Sequence, residues 1–356
     1  MLEVRRAARL VPLCAAVAAM VLAYSACAPR NPPNALTAML RAIPWQAAIP
    51  ATKDAVGNPH SRGDEALYMR LQGLWYYFTD YNQFRKQTGR ESFREISDLP
   101  EPLRIPLLFL QSTPAERLLS DNVLDLAGIE AAIVVGNTEG PVVAMLVGSF
   151  DRKRASSVLA GQGAKSEESG LFELYSEEEA GATGVGPRRL VASPSYEAAK
   201  AVTSFRGGEN SLLGLPLSQD LSLAVGRPPV VHATFLAGNA GRVGTKRPDG
   251  FPCHDIFWAT TVLRYSRQQR LEAAAAVFQF RDDVSASAAK GSVEQRLGEE
   301  LERLEARIEV SDTRRNRLVI LIGFDEKSAA FVESTTSERS WLAAKFACPA
   351  PIPEDS

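Results

Sequence analysis

Ala131 to Asp151 reads AAIVVGNTEGPVVAMLVGSFD, and how that stretch is taken decides the fold. Two apolar runs, Ala131 to Val135 and Val142 to Phe150, flank Gly136-Asn137-Thr138-Glu139-Gly140-Pro141, which has the composition of a hairpin turn. Neither run alternates with polar residues. Unbroken Val, Ile and Leu mark strands covered on both faces. Asp151 then stands where a carboxylate can accept the first orphan N–H groups of a helix, and Gly161 supplies its stop, so a short helix follows over 151–160.

Towards the C-terminus the same grammar repeats. Gln162 to Gly186 is rich in glycine and acid, with Leu171 to Tyr175 as its one strand-like run and Glu177 to Glu179 reading as a solvated loop. Arg189 to Ala192 is a further strand, and Ser193-Pro194 opens a helix through Tyr196, Ala199, Val202 and Phe205. Val230 to Leu236 reads as a strand. Ile256 to Tyr265 and Leu271 to Phe280 form a hairpin, with the four alanines from Ala273 leaving the second arm open between strand and helix. Asp282 or Asp283 caps a long helix that turns Val284, Ala288, Val293, Leu297, Leu301, Leu304 and Ile308 to the core. Leu318 to Phe324 is a strand, and Asp325 caps a helix to Val332. Arg189-Leu190-Val191 recurs as Arg317-Leu318-Val319, which favours an internal duplication. A rival register, Gly148-Ser149-Phe150-Asp151 against Gly323-Phe324-Asp325, shows how generic the pattern is.

On the N-terminal side, Leu67, Leu71, Leu74, Phe78, Tyr81 and Phe84 recur at spacings of three and four, which predicts a helix between Asp64 and Phe93 with Gly89 as its stop. Trp75, Tyr76 and Tyr77 widen its stripe. Trp75, Tyr76, Tyr77, Phe78 and Tyr81 therefore make a candidate patch for a partner or ligand, against the plainer reading of a helix packed on a sheet. Prolines at 100, 102 and 106 mark a connection before the apolar run Leu107 to Leu110, and Leu118 to Ile129 is a helix or turn. Prolines 29, 32, 33, 44, 50 and 59 make 27–63 a tether, interrupted by a short helix near Leu36 to Ile43.

The first residues carry an address. Arg5, Arg6 and Arg9 precede an apolar run from Leu10 to Ala23, and Tyr24-Ser25-Ala26-Cys27 follows. Charged, apolar, then small is the order of a secretory signal. Acylation at Cys27, ordinary cleavage and a retained anchor all fit it. Ser25-Ala26-Cys27 resembles the lipobox of bacterial lipoproteins, with Tyr24 where that family carries Leu.

With 45% hydrophobic and 23% charged residues, the 356-residue chain is globular in composition. Removing 1–26 leaves 37 basic against 41 acidic residues, a net of about −4, and no long basic run. Nucleic acid is thereby disfavoured as a partner. After export Cys253 and Cys348 are the remaining thiols, and in an oxidising compartment they form a disulfide; in a reducing one they stay as two separate thiols.

Catalytic and metal motifs are weak. His60, His232 and His254 have no metal-ligand spacing, so no metal or cofactor is expected. Cys253-His254-Asp255 cannot form a relay, because neighbours on extended chain point in alternating directions. Gly238 to Lys246 has Thr245 before Lys246, the wrong order for a phosphate loop, and Gly181-x-x-Gly184-x-Gly186 lacks a leading strand.

The order of parts over 131–332, with the Cys27 context, resembles exported bacterial lipoproteins of uncharacterised function built from repeated strand-strand-helix units. That resemblance implies no catalytic residues. The expectation is an α+β protein with antiparallel sheets and covering helices in two related β-β-α-β-β-α lobes, 64–228 and 229–348, followed by a tail over 349–356. It would be exported and held to a bacterial membrane by its N-terminal lipid or anchor, facing the periplasm or exterior. There it would act without catalysis on an envelope protein partner, or alternatively as a carrier of an apolar, lipid-like ligand.

Overall fold

The computed structural model describes residues 35–48, 74–215, 231–237, 256–265 and 271–324, a few loop positions within those ranges apart. In chain order the elements are helices α1 (Ala35–Ala42) and α2 (Trp45–Ala48), strand β1 (Trp75–Asp80), and helices α3 (Tyr81–Thr88), α4 (Glu101–Leu108) and α5 (Glu116–Ser120). Strands β2 (Ile129–Asn137) and β3 (Gly140–Gly148) lead into helix α6 (Arg152–Ala160). Strands β4 (Lys165–Ser169), β5 (Phe172–Glu177), β6 (Gly181–Val185) and β7 (Arg189–Ser193) precede helix α7 (Tyr196–Ser204). Strands β8 (His232–Ala237), β9 (Ile256–Tyr265) and β10 (Leu271–Phe280), helix α8 (Asp283–Arg303), and strands β11 (Arg307–Arg314) and β12 (Arg317–Gly323) complete the described chain.

All twelve strands join one sheet in the order β11-β12-β10-β9-β8-β1-β2-β3-β7-β6-β5-β4, each pairing antiparallel. The α+β class is as expected. The sheet does not stop at the boundary read between 228 and 229: β1 pairs with β2 on one side and β8 on the other, joining the two halves edge to edge.

Alternation explains the unbroken apolar runs. In β2, Ala132 and Val134 enter a core beneath α3, α4, α5, α6 and α8, while Ala131, Ile133 and Val135 enter a second core beneath α1, α2 and α7. On β10, Ala274, Ala276, Phe278 and Phe280 face the first core and Ala275 and Val277 the second. The alanine-rich arm is a strand, its small side chains alternating between two packed faces.

The hairpin β2–β3, the helix capped by Asp151 (Arg154 N to Oδ1, 3.0 Å) and the helix opened by Asp282 (Ser285 N to Oδ1, 2.7 Å) lie where the sequence places them. Ser195, two residues later than the expected Ser193, caps α7.

Other segments differ from expectation. The helix predicted from Asp64 is instead strand β1 followed by the short helix α3; the stretch before residue 74 lies outside the described residues. Trp-Tyr-Tyr-Phe-Thr is strongly strand-forming, and a strand running straight into a helix produces spacings of three and four without one continuous helix. Gly89, at φ 72°, ends α3 as expected, its N–H bonding the Arg85 carbonyl at 2.8 Å. The proline-marked connection is helix α4: Pro102 sits in the first turn, where its absent N–H is not needed. Within 162–186 there are three strands rather than one, and the helix expected to reach Ile308 stops at Arg303, Ile308 belonging to β11.

Part of the expected tether is core. Leu36, Met39, Leu40 and Ile43 are buried, and Leu212 N–H bonds the Ile43 carbonyl at 2.7 Å. The helix placed near Leu36 to Ile43 does form, but it covers the sheet instead of spanning a linker. Cys27, Cys253, Cys348, His60, His254, the Gly238–Lys246 loop, the Asp325 helix and the tail fall outside the described residues.

Candidate functional site

Strand β1 lies in the middle of the sheet and divides the aromatic run between its two faces. Trp75 lies opposite Gly136, where any Cβ would collide with the indole ring, and its Nε1 donates to the Asn137 carbonyl at 2.9 Å. Glycine thus makes the space that the indole fills, and together they fix the β1–β2 register. Tyr77, on the same face, meets Trp75 edge-on with ring centroids 5.4 Å apart and lies near-parallel to the His232 ring at 6.5 Å. Below it Thr79 Oγ1 and His232 Nδ1 are 3.1 Å apart. Burial pushes the His232 pKa down to about 3, so the imidazole is neutral.

The other face of β1 is deeper. Tyr76 stacks on Phe235 across the β1–β8 pairing, with centroids 4.7 Å apart and planes 14° apart, and Phe78 packs beside it. Burial raises the Tyr76 pKa, and its hydroxyl has no hydrogen-bond partner. Tyr81, the first residue of α3, donates to the Leu103 carbonyl at 2.8 Å. Of the five residues read as a patch, Tyr76, Phe78 and Tyr81 are therefore buried and only Trp75 and Tyr77 are partly accessible. A strand divides consecutive aromatics between two cores, whereas the predicted helix would have gathered them on one surface.

At the end of β1 is a recess of about 210 Å³, walled by Ala35 and Met39 of α1, Asp80, Lys86, Glu130 and Arg189. Asp80 caps α3 by accepting the Gln83 N–H at 2.8 Å. Desolvation raises its pKa, against the lowering by that bond and by Lys86. Arg85 reaches the other way, donating to the carbonyls of Ile129 (2.7 Å) and Leu126 (3.3 Å) and clamping the entry to β2; burial lowers its pKa.

At the β4 edge of the sheet Tyr196 donates to Glu167 (2.7 Å) and Lys200 to the Tyr196 hydroxyl (3.0 Å), tying α7 to β4 in the open. Glu167 is held below its usual pKa by the Tyr196 bond first and Lys200 second. Among the described residues no group of three or more His, Cys, Asp or Glu side chains could hold a metal ion, and no helix is long and apolar enough to cross a membrane.

No family model and no curated protein matches the chain. Solved structures of TP0453 overlay on it loosely. Crystal form IV gives a TM-score of 0.36 at 9% identity, covering 76% of this chain and 95% of that one. Form III gives 0.35 at 11% (75% and 96%), and form I gives 0.33 at 12% (77% and 98%). Overlap at this level transfers no property to the protein.

The sequence missed the Thr79–His232 pair and the Trp75–Gly136 fit, because both need the register of strands far apart in the chain. The Asp80 cap carries the one local signal, an Asp followed by a polar turn.

Proposed function

We propose that the protein is an exported, membrane-tethered, non-enzymatic envelope protein that presents its α+β body for an interaction or scaffold role. The observation that carries this reading is the leader: Arg5, Arg6 and Arg9, the apolar run Leu10 to Ala23, and Ser25-Ala26-Cys27. In this reading Cys27 is the lipid-bearing residue and the membrane the first partner, with an envelope protein the second. The disulfide between Cys253 and Cys348 belongs to the same proposal, since it depends on an oxidising compartment.

The chemistry of the body supports a role without catalysis. Four of the perturbed groups are engaged in structure: Asp80 caps a helix, Arg85 clamps two carbonyls, His232 bonds Thr79, and Tyr81 bonds a carbonyl; Tyr76, whose hydroxyl is unbonded, is held by its stack on Phe235. A carrier of an apolar ligand is less well supported by the recess below α1. Its volume falls under the several hundred Å³ of ordinary ligand pockets, and Asp80, Lys86, Glu130 and Arg189 rim it with charge.

Mass spectrometry of the membrane-fraction protein tests the proposal. A mature chain beginning at acylated Cys27, with Cys253 and Cys348 two hydrogens lighter than free thiols, is the expected result. An intact Met1 in a soluble pool would overturn it.

A further inference from the structure

Lys86, Arg152, Lys153, Arg154, Arg188 and Arg189 are exposed, and the topology gathers them at one end of the sheet. Ile129, the first residue of β2, pairs with Gly148, the last of β3, and Val147 pairs with Arg189, the first of β7. Gly148 N–H bonds the Arg188 carbonyl at 3.1 Å, and the first turn of α6 supplies Arg152 to Arg154 immediately beyond β3. Lys86 and Arg189 line the same recess as Ala35, so α1 starts at this end too.

Against these six exposed cations stand three exposed carboxylates, Asp121, Asp125 and Asp151, with Asp80 and Glu130 part-buried, so the end is positive on balance. Asp80 accepts Gln83 N–H, Asp151 accepts Arg154 N–H at 3.0 Å, Asp125 accepts Ala127 N–H at 2.9 Å, and Glu130 pairs with Arg188. Arg154 also donates to the Asp121 carbonyl at 3.1 Å, which brings that residue beside the cluster.

We infer that this basic end docks against an anionic lipid surface, orienting the body on its membrane. The inference rests on the reading of Cys27 as the point of attachment. Ala35 follows Cys27 by eight positions, so the connecting chain spans at most about 29 Å when fully extended. The sheet is itself about 30 Å long at β2, from the basic end to the opposite one. A lipid at Cys27 therefore keeps the end that carries Lys86, Arg188 and Arg189 within about 29 Å of the headgroups, whereas the far end of β2 reaches them only with the connecting chain drawn out to nearly its full length. The chain from Cys27 onward carries a net charge of about −4, so whole-molecule attraction to anionic lipid is absent and the local cluster must supply it. Each basic side chain at such a surface contributes about a fivefold factor in binding.

The test uses the full chain from the membrane fraction, reconstituted in vesicles of phosphatidylcholine alone or with phosphatidylglycerol, and followed by flotation and amide hydrogen exchange. Docking slows exchange over 148–160 and 186–189 in the anionic vesicles only, and raised salt reverses it. Combining Arg152→Gln, Lys153→Gln and Arg154→Gln weakens docking on the order of a hundredfold. Lys165→Gln with Lys290→Gln, on β4 and α8, leaves it unchanged. If the triple variant fails to fold, the lipid and salt comparison on the native chain decides alone. Equal exchange in both vesicle types with the chain still floating overturns the docking and leaves the tether standing. A chain that does not float overturns the tether, and the docking falls with it.

Discussion

His232 is a buried imidazole with Thr79 as its hydrogen-bond partner, and that fixes a pH dependence with a definite sign. Its folded pKa, about 3, lies below the unfolded value near 6.5. Above pH 6.5 both states are neutral and stability is at its full value. Between 6.5 and about 3 the unfolded chain takes a proton that the folded one refuses, so stability falls by up to about 1.4 kcal/mol per pH unit. Thermal melts of the native chain and of His232→Gln check it: the variant starts lower at neutral pH but loses this part of the acid slope. At Gly136 the expectation is steric. Gly136→Ala places a methyl group where the Trp75 ring lies, which costs about 1–3 kcal/mol and moves the indole, read as a lowered melting temperature and a changed tryptophan emission. Neither residue advertises itself in the sequence, since each acquires its role from a strand partner many positions away.

Asp80 joins β1 to α3, and its two properties can be separated by substitution. Asp80→Ala removes the cap and costs about 1 kcal/mol. Asp80→Asn keeps a capping oxygen and relieves the desolvated charge, so at neutral pH it is expected to be at least as stable as the native chain by denaturant melting. Elements whose signals are local were legible: the Asp151 cap, the β2–β3 turn, the Asp282 cap and the β9–β10 hairpin. Elements whose signals cross a boundary were not. Phe78, Tyr81 and Phe84 look like one helical stripe, yet Phe78 faces the core under α1 and the other two face the core under α3 and α4. Strand β11 was lost for a different reason. Arg307, Glu309, Asp312 and Arg314 leave it little apolar pattern, because it occupies the sheet's edge.

The charged outer strands matter to the molecule as a whole. Lys165, Glu167 and Glu168 on β4 and the charges of β11 stand at the two ends of the twelve-strand order, where an unpaired backbone could recruit another chain. Replacing Glu167 and Glu168 with valine is expected to produce concentration-dependent aggregation by light scattering, with little loss of secondary structure beforehand. The middle of the sheet has the opposite character. Because β1 bridges β2 and β8, residues 229–348 expressed alone would leave an open β8 edge, and such a fragment is expected to lack a cooperative melt. The candidate site was less legible than the fold. Its aromatics stand together in the sequence, but their division between two cores depends on which strands lie to either side.

That bridging position also sets a timetable. Trp75 finds Gly136 within 61 positions, but its other neighbour, Leu236, comes 161 positions later. A chain that must hold so early a strand for so late a mate has a high contact order, and its maturation belongs to the slow, intermediate-prone class. For a protein delivered start first, the most aromatic segment is then among the earliest to emerge and among the last to be sealed, which makes it the natural client surface for a holding chaperone.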